Sequence, residues 1–573
     1  MKLPRVPYKL TKNMSEVIAM RGINYSDMLR DGDLRESENL SARRYPYLSV
    51  RRGRETLAGE AYTGVNALAE YDGLITVKGG YVYYKGECIN PDGEDGTPPE
   101  TLLSEGEKQF AVVNNKVVIW PDKVYIDLSK DEETGEVKPT IKNATNSFRY
   151  RTAFTSNINV EEGLYYPRNQ ILVLFEETGT PQAPAEFDFS DYFKVGDAIS
   201  ISDFSNLDVV GSSDSEIDYV EGEKWTIVEI TSARKMLLQC DNMREGNGQL
   251  NFRGTATIST YIPDLDFICE YNNRLYGCSN EDNSVYVSAL GEPFQFFNFA
   301  GNVSTNSFAA AVGSDGKFTG CTRLGSSVLF WKEDKLHKLL GEYASEYTLY
   351  SYDIDGVQEG SHKSQQVINE VLYYLGTQGV YAYTGGLPEL ISDNFGQRRY
   401  KNGVAGHDAD SYYLSVDDEQ GESHLFVYET HAGLWLREDG TRVKDFARAG
   451  RELYMLDNGG MIHKLDSGKE DAGVEWMAQF TPFYETMQGR KVYSKLLIRA
   501  EIPAGAYIKP EVRFDGGDWK SLGAVTGGKD AKNDTVAIPI PISRCGKFEL
   551  RLRGKGAVTV LGMVREFMVR SDK

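Results

Sequence analysis

The cysteines and histidines are the side chains best suited to metal or redox chemistry here, and their spacing argues against both. The six cysteines lie at 88, 240, 269, 278, 321 and 545, and the six histidines at 337, 362, 407, 424, 431 and 463. No CxxC pair and no HExxH occurs, so the usual ligand spacings of a zinc site are missing. We therefore expect no bound metal, and we expect the thiols to be reduced residues of the core.

The sequence motifs of common enzymes are also missing. GxSxG, the P-loop and a GxGxxG between a strand and a helix do not occur. Asp and Glu are numerous, so their number leaves a catalytic pair of carboxylates like that of glycosidases possible. The sequence, however, singles out no two of them. The prediction is a protein that is not an enzyme, with no catalytic residue and no cofactor.

A basic segment, SARRYPYLSVRRGRE, interleaves arginine with tyrosine. Its candidate interface residues are Arg43, Arg44, Arg51, Arg52 and Arg54. Interleaved arginine and aromatic side chains can bind nucleic acid, and an extended arm of this kind can equally pair with an acidic partner subunit. The acidic body of the chain favours the subunit interface.

The net charge of −21 is spread unevenly along the chain. From Arg490 onward there are 17 Lys and Arg against nine Asp and Glu, an excess of +8, which leaves −29 on the first 489 residues. An acidic body argues against wrapping DNA, because phosphate binding requires a cationic surface. It indicates either solubility or a surface that faces nucleic acid without holding it.

Seven short hairpins recur along the chain, each with two strands rich in Val, Ile, Leu, Tyr and Trp. Their turns lie at Gly79, Pro121, Glu281, Glu333, Thr377, Glu419 and Asn458. The successive spacings are 42, 160, 52, 44, 42 and 39 residues, and all but one match a four-stranded propeller blade of about 40–50 residues. The alternative is a meander or sandwich, which seldom holds such a long period. We predict an all-β protein with a propeller of six or seven blades.

The spacing of 160 residues and the end of the repeat predict two further modules. We expect an N-terminal arm with propeller-closing strands at 1–60, propeller blades at 61–140 and 263–473, an inserted small β-barrel at 141–262, and a C-terminal β-sandwich at 474–573. An insertion in a blade loop is tolerated because loops, unlike blade cores, accept extra residues. No apolar run is long enough for a transmembrane helix, so we expect no membrane insertion.

The aromatic candidates are Phe294, Phe296, Phe297 and Phe299, which follow a Gly-Glu-Pro break in GEPFQFFNF. They fall in an excursion of about ten residues beyond the blade period. We expect them either to fill the gap between adjacent blades or to anchor a neighbouring subunit, since aromatic rings concentrate at the centres of interfaces. A later Gly- and Ala-rich segment, FAAAVGSDGKFTG from Phe308, is a candidate for a flexible loop that reaches a channel axis.

Three segments resemble the nozzle (tail tubular) proteins of short-tailed bacteriophages. The first is NNRLYG…NSVYVSALGEPFQFFNF, in which the shared positions are Asn273, Arg274, Leu275, Val285, Tyr286, Ser288, Pro293, Phe296, Asn298 and Phe299. The second, VLYYLGTQGVYAYTGGLPELISDNFG, is similar to a later blade of that family, and NYSDMLRDGDLRESENLSARRYPYLSVRRG is similar to its opening segment. The resemblance covers residues 20–465, and the C-terminal sandwich is less familiar in such proteins.

This resemblance implies a structural protein of the virion tail, made in the host cytoplasm. Copies, six in the family, would form a homo-oligomeric ring below the head-to-tail adaptor, line the DNA exit channel during DNA ejection and dock tail fibre proteins. Genomic DNA would pass transiently, because an anionic wall repels phosphate. The alternatives are a carbohydrate-binding or polysaccharide-cleaving propeller and a protein-binding scaffold propeller.

Overall fold

A computed structural model describes residues 12–91, 101–130, 137–155, 170–176, 180–209, 220, 223–240, 251–297, 306–467, 473–485, 489–528 and 534–570. The chain divides into two compact units. The first contains residues up to 78, 83–87 and from 354 onward, and the second contains 79–82 and 88–353. Within the described residues, no helix is both long and apolar enough to cross a bilayer.

The described structure consists almost entirely of β-strands. The N-terminal strands are β1 (Asn13–Val17), β2 (Leu34–Glu38), β3 (Leu40–Ser41), β4 (Leu48–Val50) and β5 (Glu55–Thr56). They are followed by β6 (Ala67–Glu70), β7 (Leu74–Lys78), β8 (Tyr81–Tyr84), β9 (Glu87–Cys88), β10 (Gln109–Val113), β11 (Lys116–Trp120), β12 (Val124–Asp127) and β13 (Thr140–Asn143). The next six are β14 (Ser147–Thr155), β15 (Gln170–Phe175), β16 (Ala198–Val209), β17 (Lys224–Ser232), β18 (Lys235–Gln239) and β19 (Asn251–Thr260).

The second half of the chain continues in the same way. Its first strands are β20 (Phe267–Tyr271), β21 (Arg274–Ser279), β22 (Ser284–Val287), β23 (Phe308–Ala311), β24 (Gly320–Leu324), β25 (Ser327–Trp331), β26 (Lys335–Leu340) and β27 (Thr348–Asp353). Then come β28 (Gln366–Ile368), β29 (Val371–Leu375), β30 (Val380–Tyr383), β31 (Glu389–Leu390), β32 (Tyr400–His407), β33 (Ser411–Asp418), β34 (Ser423–Glu429), β35 (Leu434–Asp439), β36 (Val443–Ala449), β37 (Glu452–Asp457) and β38 (Ile462–Lys464).

The C-terminal strands complete the described elements. They are β39 (Glu475–Phe480), β40 (Arg490–Glu501), β41 (Tyr507–Phe514), β42 (Lys520–Ser521), β43 (Val525–Thr526), β44 (Asp534–Pro539), β45 (Arg544–Cys545), β46 (Phe548–Lys555) and β47 (Thr559–Arg570). Short 3-10 helices lie at Glu60–Tyr62, Phe189–Asp191, His362–Ser364 and Asp393–Phe395.

Seven four-stranded sheets follow one another along the described chain and form the blades of a β-propeller. They are β6–β9, β10–β13, β20–β23, β24–β27, β28–β31, β32–β35, and β36–β38 with β5. The seven predicted hairpins are the second and third strands of these seven sheets, which confirms the propeller prediction. These middle strands gave the clearest signal because they are flanked by strands on both sides and carry the most continuous apolar runs.

Packing between sheets follows the propeller pattern within each unit. In the second unit, the first strand of one sheet packs against the first strand of the next, β10 against β20 and β20 against β24. In the first unit, β32 packs against β36 and β36 against β6. Apolar clusters fill the spaces between neighbouring sheets; one joins Phe330 of β25 to Val285 of β22, and another joins Leu375 of β29 to Phe426 of β34.

The insertion is a closed six-stranded barrel, in the order β14-β15-β18-β17-β16-β19. It spans 147–260 and therefore lies inside the range predicted from sequence. Its interior is aromatic, with Phe154, Phe175, Phe189 and Trp225 fully buried. Polar and apolar residues alternate in the segment VGDAISIS (residues 195–202) at the start of β16, where Ile199 and Ile201 point into this core.

The C-terminal module is a sandwich of two sheets, and it takes strands from both ends of the chain. One sheet runs β3-β4-β47-β40-β44, with β1 also on β47, and the other runs β2-β39-β46-β41-β42. The sequence interpretation placed residues 1–60 in an arm with propeller-closing strands. In the structure β1 to β4 belong to the sandwich, and β5 alone closes a blade by pairing with β38. Strands of two to five residues carry too little pattern to reveal partners more than 400 residues away.

We predict that the N-terminal strands stabilise the sandwich as core elements. Leu34 of β2 is 1% exposed and packs in the sandwich core, so Leu34→Ala should lower the free energy of unfolding of this module by about 2–5 kcal/mol. Met14 on β1 is 63% exposed, and Met14→Ala should change it by no more than about 0.5 kcal/mol. Denaturant midpoints check both; equal midpoints for the two variants would contradict the assignment.

Candidate functional site

The arginine segment predicted as an interface lies in the first unit and binds acidic side chains there. Arg54 donates to Glu438 at 2.5 Å and pairs with Asp439 at 2.7 Å. Arg51 donates through Nε to the amide oxygen of Asn39 at 2.7 Å. Arg54 therefore fastens the segment leading to β5 onto the end of β35, and Arg51 joins this segment to the residue between β2 and β3 while its Nε lies 3.7 Å from Glu438.

The remaining arginines are more exposed. Arg44 donates to Glu501 at 2.7 Å, and Arg43 donates to Asp408 at 2.6 Å and also pairs with Asp466. Arg52 is exposed and lines a cavity together with Arg43. Four of the five arginines thus bind carboxylate or amide groups of their own unit, and their role at an interface with another copy stays a prediction.

A two-residue Asn-Asn turn joins the two strands that precede the phenylalanine segment. Tyr271 pairs with Arg274 across a two-residue turn, in which Asn272 and Asn273 have φ of 50° and 58°. Two successive positive φ values define the turn type that matches strand twist, and asparagine tolerates this conformation well. The register of β20 on β21 is therefore set by local sequence.

Arg274 and Ser288 connect this hairpin to the segments that follow. Arg274 is 1% exposed, and its guanidinium donates to the carbonyl oxygens of Ser288 at 2.8 Å and Asn306 at 2.7 Å. The Ser288 hydroxyl accepts from the amide of Leu275 at 2.9 Å. A buried guanidinium with backbone acceptors fixes chain geometry, because its donors have a rigid fork arrangement. Arg274 and Ser288 therefore have a structural role, because their hydrogen bonds hold the hairpin to the segments that follow.

The aromatic segment packs between a blade, the barrel and the next blade of the second unit. Phe296 and Phe297 are 1% and 7% exposed and share a core cluster with Trp120 and Ile262. Phe294 is half-buried, with its ring 5.7 Å from that of Tyr125. The last predicted residue, Phe299, lies outside the described residues. Two of the four rings therefore fill a space within the subunit, and subunit contact by Phe294 stays a prediction.

A cavity of about 220 Å³ lies beside this segment. Its aromatic lining residues are Tyr125, Tyr192, Tyr261, Phe294, Phe296 and Phe297, and its polar lining residues include Asn143, Asn146 and Asp197. The Tyr192 side chain is 44% exposed, and burial raises the pKa of the Asp197 carboxyl. Sequence reasoning missed these barrel residues, because nothing in their local pattern indicates that the barrel approaches the Phe segment.

The segment from Phe308, predicted as a flexible loop toward a channel axis, is a strand followed by a fastened turn. Phe308 begins β23, and Lys332 donates to the carbonyl oxygen of Ser314 at 2.8 Å. The His337 ring bonds the Ser314 hydroxyl at 2.8 Å and the Ser351 hydroxyl at 2.7 Å. The start of this segment is therefore a strand, and these contacts hold the turn after it against the neighbouring blade; its approach to a channel axis stays a prediction.

No cluster of three metal-ligating His, Cys, Asp or Glu side chains occurs within the described ranges. Cys269 and Cys321 are free thiols with sulfur atoms 2.9 Å apart, on the first strands of adjacent blades. Burial raises the pKa of the Cys321 thiol well above its ordinary value, which opposes formation of the reactive thiolate.

Comparison with known proteins gives likeness in structure only. No family model and no curated protein matches the sequence. Among solved structures, BamB from Moraxella catarrhalis aligns at 11% identity over 73% of this chain and 97% of its own, with a TM-score of 0.31. An exo-β-1,3-galactanase from Phanerochaete chrysosporium aligns at 10% identity over 51% and 92%, with a TM-score of 0.21. The phage phi92 endosialidase aligns at 12% over 80% and 61%, with a TM-score of 0.16. Likeness at this level carries no argument about function.

We predict that Phe296 is a packing residue whose loss destabilises its unit. Phe296→Ala removes a fully buried ring and should lower the free energy of unfolding by about 3–5 kcal/mol. Phe294→Ala is the matched control, and its half-buried ring should cost clearly less. Thermal or denaturant unfolding of both variants measures this; a Phe296 variant as stable as the parent would show that the cluster does not depend on that ring.

We predict a pH dependence of stability that is due to His337. Burial lowers the pKa of this imidazole to about 4, below the ordinary value of about 6.5. The folded state then binds a proton less readily than the unfolded state, so stability is full above about pH 6.5 and falls toward pH 4, by about 3 kcal/mol in all. His337→Gln should flatten the unfolding free energy over this interval; an unchanged slope would contradict the assignment.

Proposed function

We propose that this protein is a structural component of a bacteriophage tail, which forms a ring below the head-to-tail adaptor. The observation that carries the proposal is the position, in the structure, of the residues in the segment that resembles nozzle proteins. Arg274, Ser288 and Phe296 are buried and bind or pack against backbone and core. Buried residues of this kind determine how the subunit folds and packs. A ring-forming tail protein depends on such a fixed subunit fold.

Charge supports the same proposal. The first 489 residues carry −29, and a surface of this sign repels phosphate at the short distances of a channel. DNA could then slide past the ring during ejection without being held. The basic excess in the last 84 residues offers a complementary surface, because opposite charges on two modules favour docking of one copy on a neighbour.

The enzymatic alternative meets a specific obstacle at Asp408 and Glu429, two neighbouring carboxylates that line a cavity of the first unit. Asp408 and Glu429 both bind Ser411, whose amide donates to Asp408 at 2.8 Å and whose hydroxyl donates to Glu429 at 3.0 Å. The second oxygen of Asp408 accepts from Arg43. Because these carboxylate oxygens already accept hydrogen bonds, they hold the turn in place and are poorly placed to attack a glycosidic bond.

Imaging of tail particles tests the proposed function. We expect the chain in purified virions, with density for a closed ring of several copies beneath the adaptor, and a wall potential that is negative toward the channel. Mass measurement of the isolated chain, with and without the adaptor, gives a second readout. A chain absent from the particles, or a channel wall that is mainly basic, would contradict the proposal; release of reducing sugar from a host polysaccharide would favour the enzymatic alternative.

A further inference from the structure

A cavity of about 880 Å³ opens between two neighbouring blades of the first unit. Its walls come from the turn between β32 and β33, the turn between β34 and β35, the turn between β36 and β37, and the segment that contains Arg43 and Arg52. All these turns lie at the same end of their antiparallel sheets. The volume is within the usual range for a small-molecule site.

The acidic groups deep in this cavity are already engaged. Asp408 caps its own turn by accepting from the Asp410 amide at 2.9 Å, and it also binds Arg43, which pairs with Asp466 as well. The Glu429 side chain is 3% exposed, and burial raises the pKa of its carboxyl. Asp408 is thus paired with a cation, and Glu429 is largely shielded from solvent.

The cationic groups at the opening are placed differently. Arg52, Arg448 and Arg451 are exposed and line the cavity together with His431, whose Nδ1 lies 3.9 Å from the Glu429 carboxylate. Arg448 donates through Nε to the carbonyl oxygen of Gly450 at 3.1 Å, and its terminal nitrogen lies 3.2 Å from Nδ1 of His407. Arg52 and Arg451 are exposed on two separate segments. Guanidinium groups present paired donors that match carboxylate and phosphate. The opening is therefore suited to an oxyanion, in a chain whose net charge is −21.

The walls are also held in place before any ligand arrives. The hydroxyl of Thr430 donates to the carbonyl oxygen of Asp410 at 2.7 Å, and the Thr430 amide donates to the same oxygen at 3.0 Å. These bonds join the turn after β32 to the turn after β34. A site whose turns are already fixed loses less conformational entropy when it binds.

We propose that this cavity binds an acidic sugar, a saccharide unit that bears a carboxylate or a phosphate. The guanidinium groups of Arg448 and Arg451 receive the oxyanion, while the Asp410 carboxylate and the Arg52 guanidinium offer an acceptor and further donors to sugar hydroxyls. Hydroxyls both donate and accept, so they require acceptors in the walls, whereas an acidic peptide side chain would require donors alone. The presence of both kinds of group favours the sugar, and the proposal holds whether or not the chain forms a ring.

The test compares ligands and variants on the full chain. Binding of glucuronate, glucose 6-phosphate, glucose, inorganic phosphate and pentaglutamate is measured by calorimetry and by saturation-transfer NMR. We expect at least one of the two acidic sugars to bind, and to bind at least tenfold more tightly than glucose. The double variant Arg448→Ala/Arg451→Ala should weaken that binding at least tenfold, and Arg52→Ala, on a separate segment, should weaken it several-fold.

A matched control separates the cavity from the general charge of the surface. Arg499→Ala/Arg553→Ala removes the same two charges from exposed positions on the sandwich and should leave binding within twofold of the parent, with thermal midpoints recorded for every variant. If neither acidic sugar binds, or if the control pair loses as much affinity as the cavity pair, the proposal is overturned. If inorganic phosphate binds as tightly as the acidic sugars, the cavity is a site for free anions. If pentaglutamate binds more tightly than the acidic sugars, the cavity is a site for an acidic protein segment. Either result overturns the proposal of an acidic-sugar site.

Discussion

The constraint on which this structure depends is that a small four-stranded sheet has two faces to bury. One sheet alone leaves apolar residues of its middle strands in water, and burial of such residues is the main favourable term in folding. In each unit the solution is the same: the first strands of successive sheets pack together, and apolar clusters fill the space between neighbours. A blade is stable only when it packs against neighbouring blades, and the other features of the chain are attached to these blades.

The N-terminal segment completes two parts of the first unit, one propeller blade and the C-terminal sandwich. It supplies β5 to the sheet of β36–β38 and four strands to the sandwich, so residues distant in sequence complete two modules at once. Between these strands the chain is fastened by arginines, of which Arg54 lies against Glu438 and Asp439. A largely buried ion pair of this kind contributes to a specific register more than to net stability, because desolvation offsets much of the attraction. The segment therefore has a structural role that does not require a second copy.

The candidate functional residues differ in whether they are packed within their own unit or remain accessible. The phenylalanines after the Gly-Glu-Pro break and the arginines of the N-terminal segment were both candidates for contact with other molecules. Phe296, Phe297 and Arg54 are occupied within their own units, whereas Phe294 and Arg52 are accessible beside cavities. Accessible members of otherwise buried motifs are the residues through which a ring protein, or a ligand-binding propeller, would meet its partner.

By itself the sequence determined the blade period, the seven central hairpins, the barrel inside 141–262 and the Asn-Asn turn, because all of these follow from local alternation, turn chemistry or spacing. Only the tertiary structure decided that β1 to β4 enter the sandwich and that His337 and Lys332 hold the turn after β23. It also decided that turns of two adjacent blades share a cavity with the arginine segment. Those features depend on which surfaces meet after the blades stack. Such contacts join residues tens to hundreds of positions apart, and short strands and single charged side chains carry no local pattern that specifies their partners.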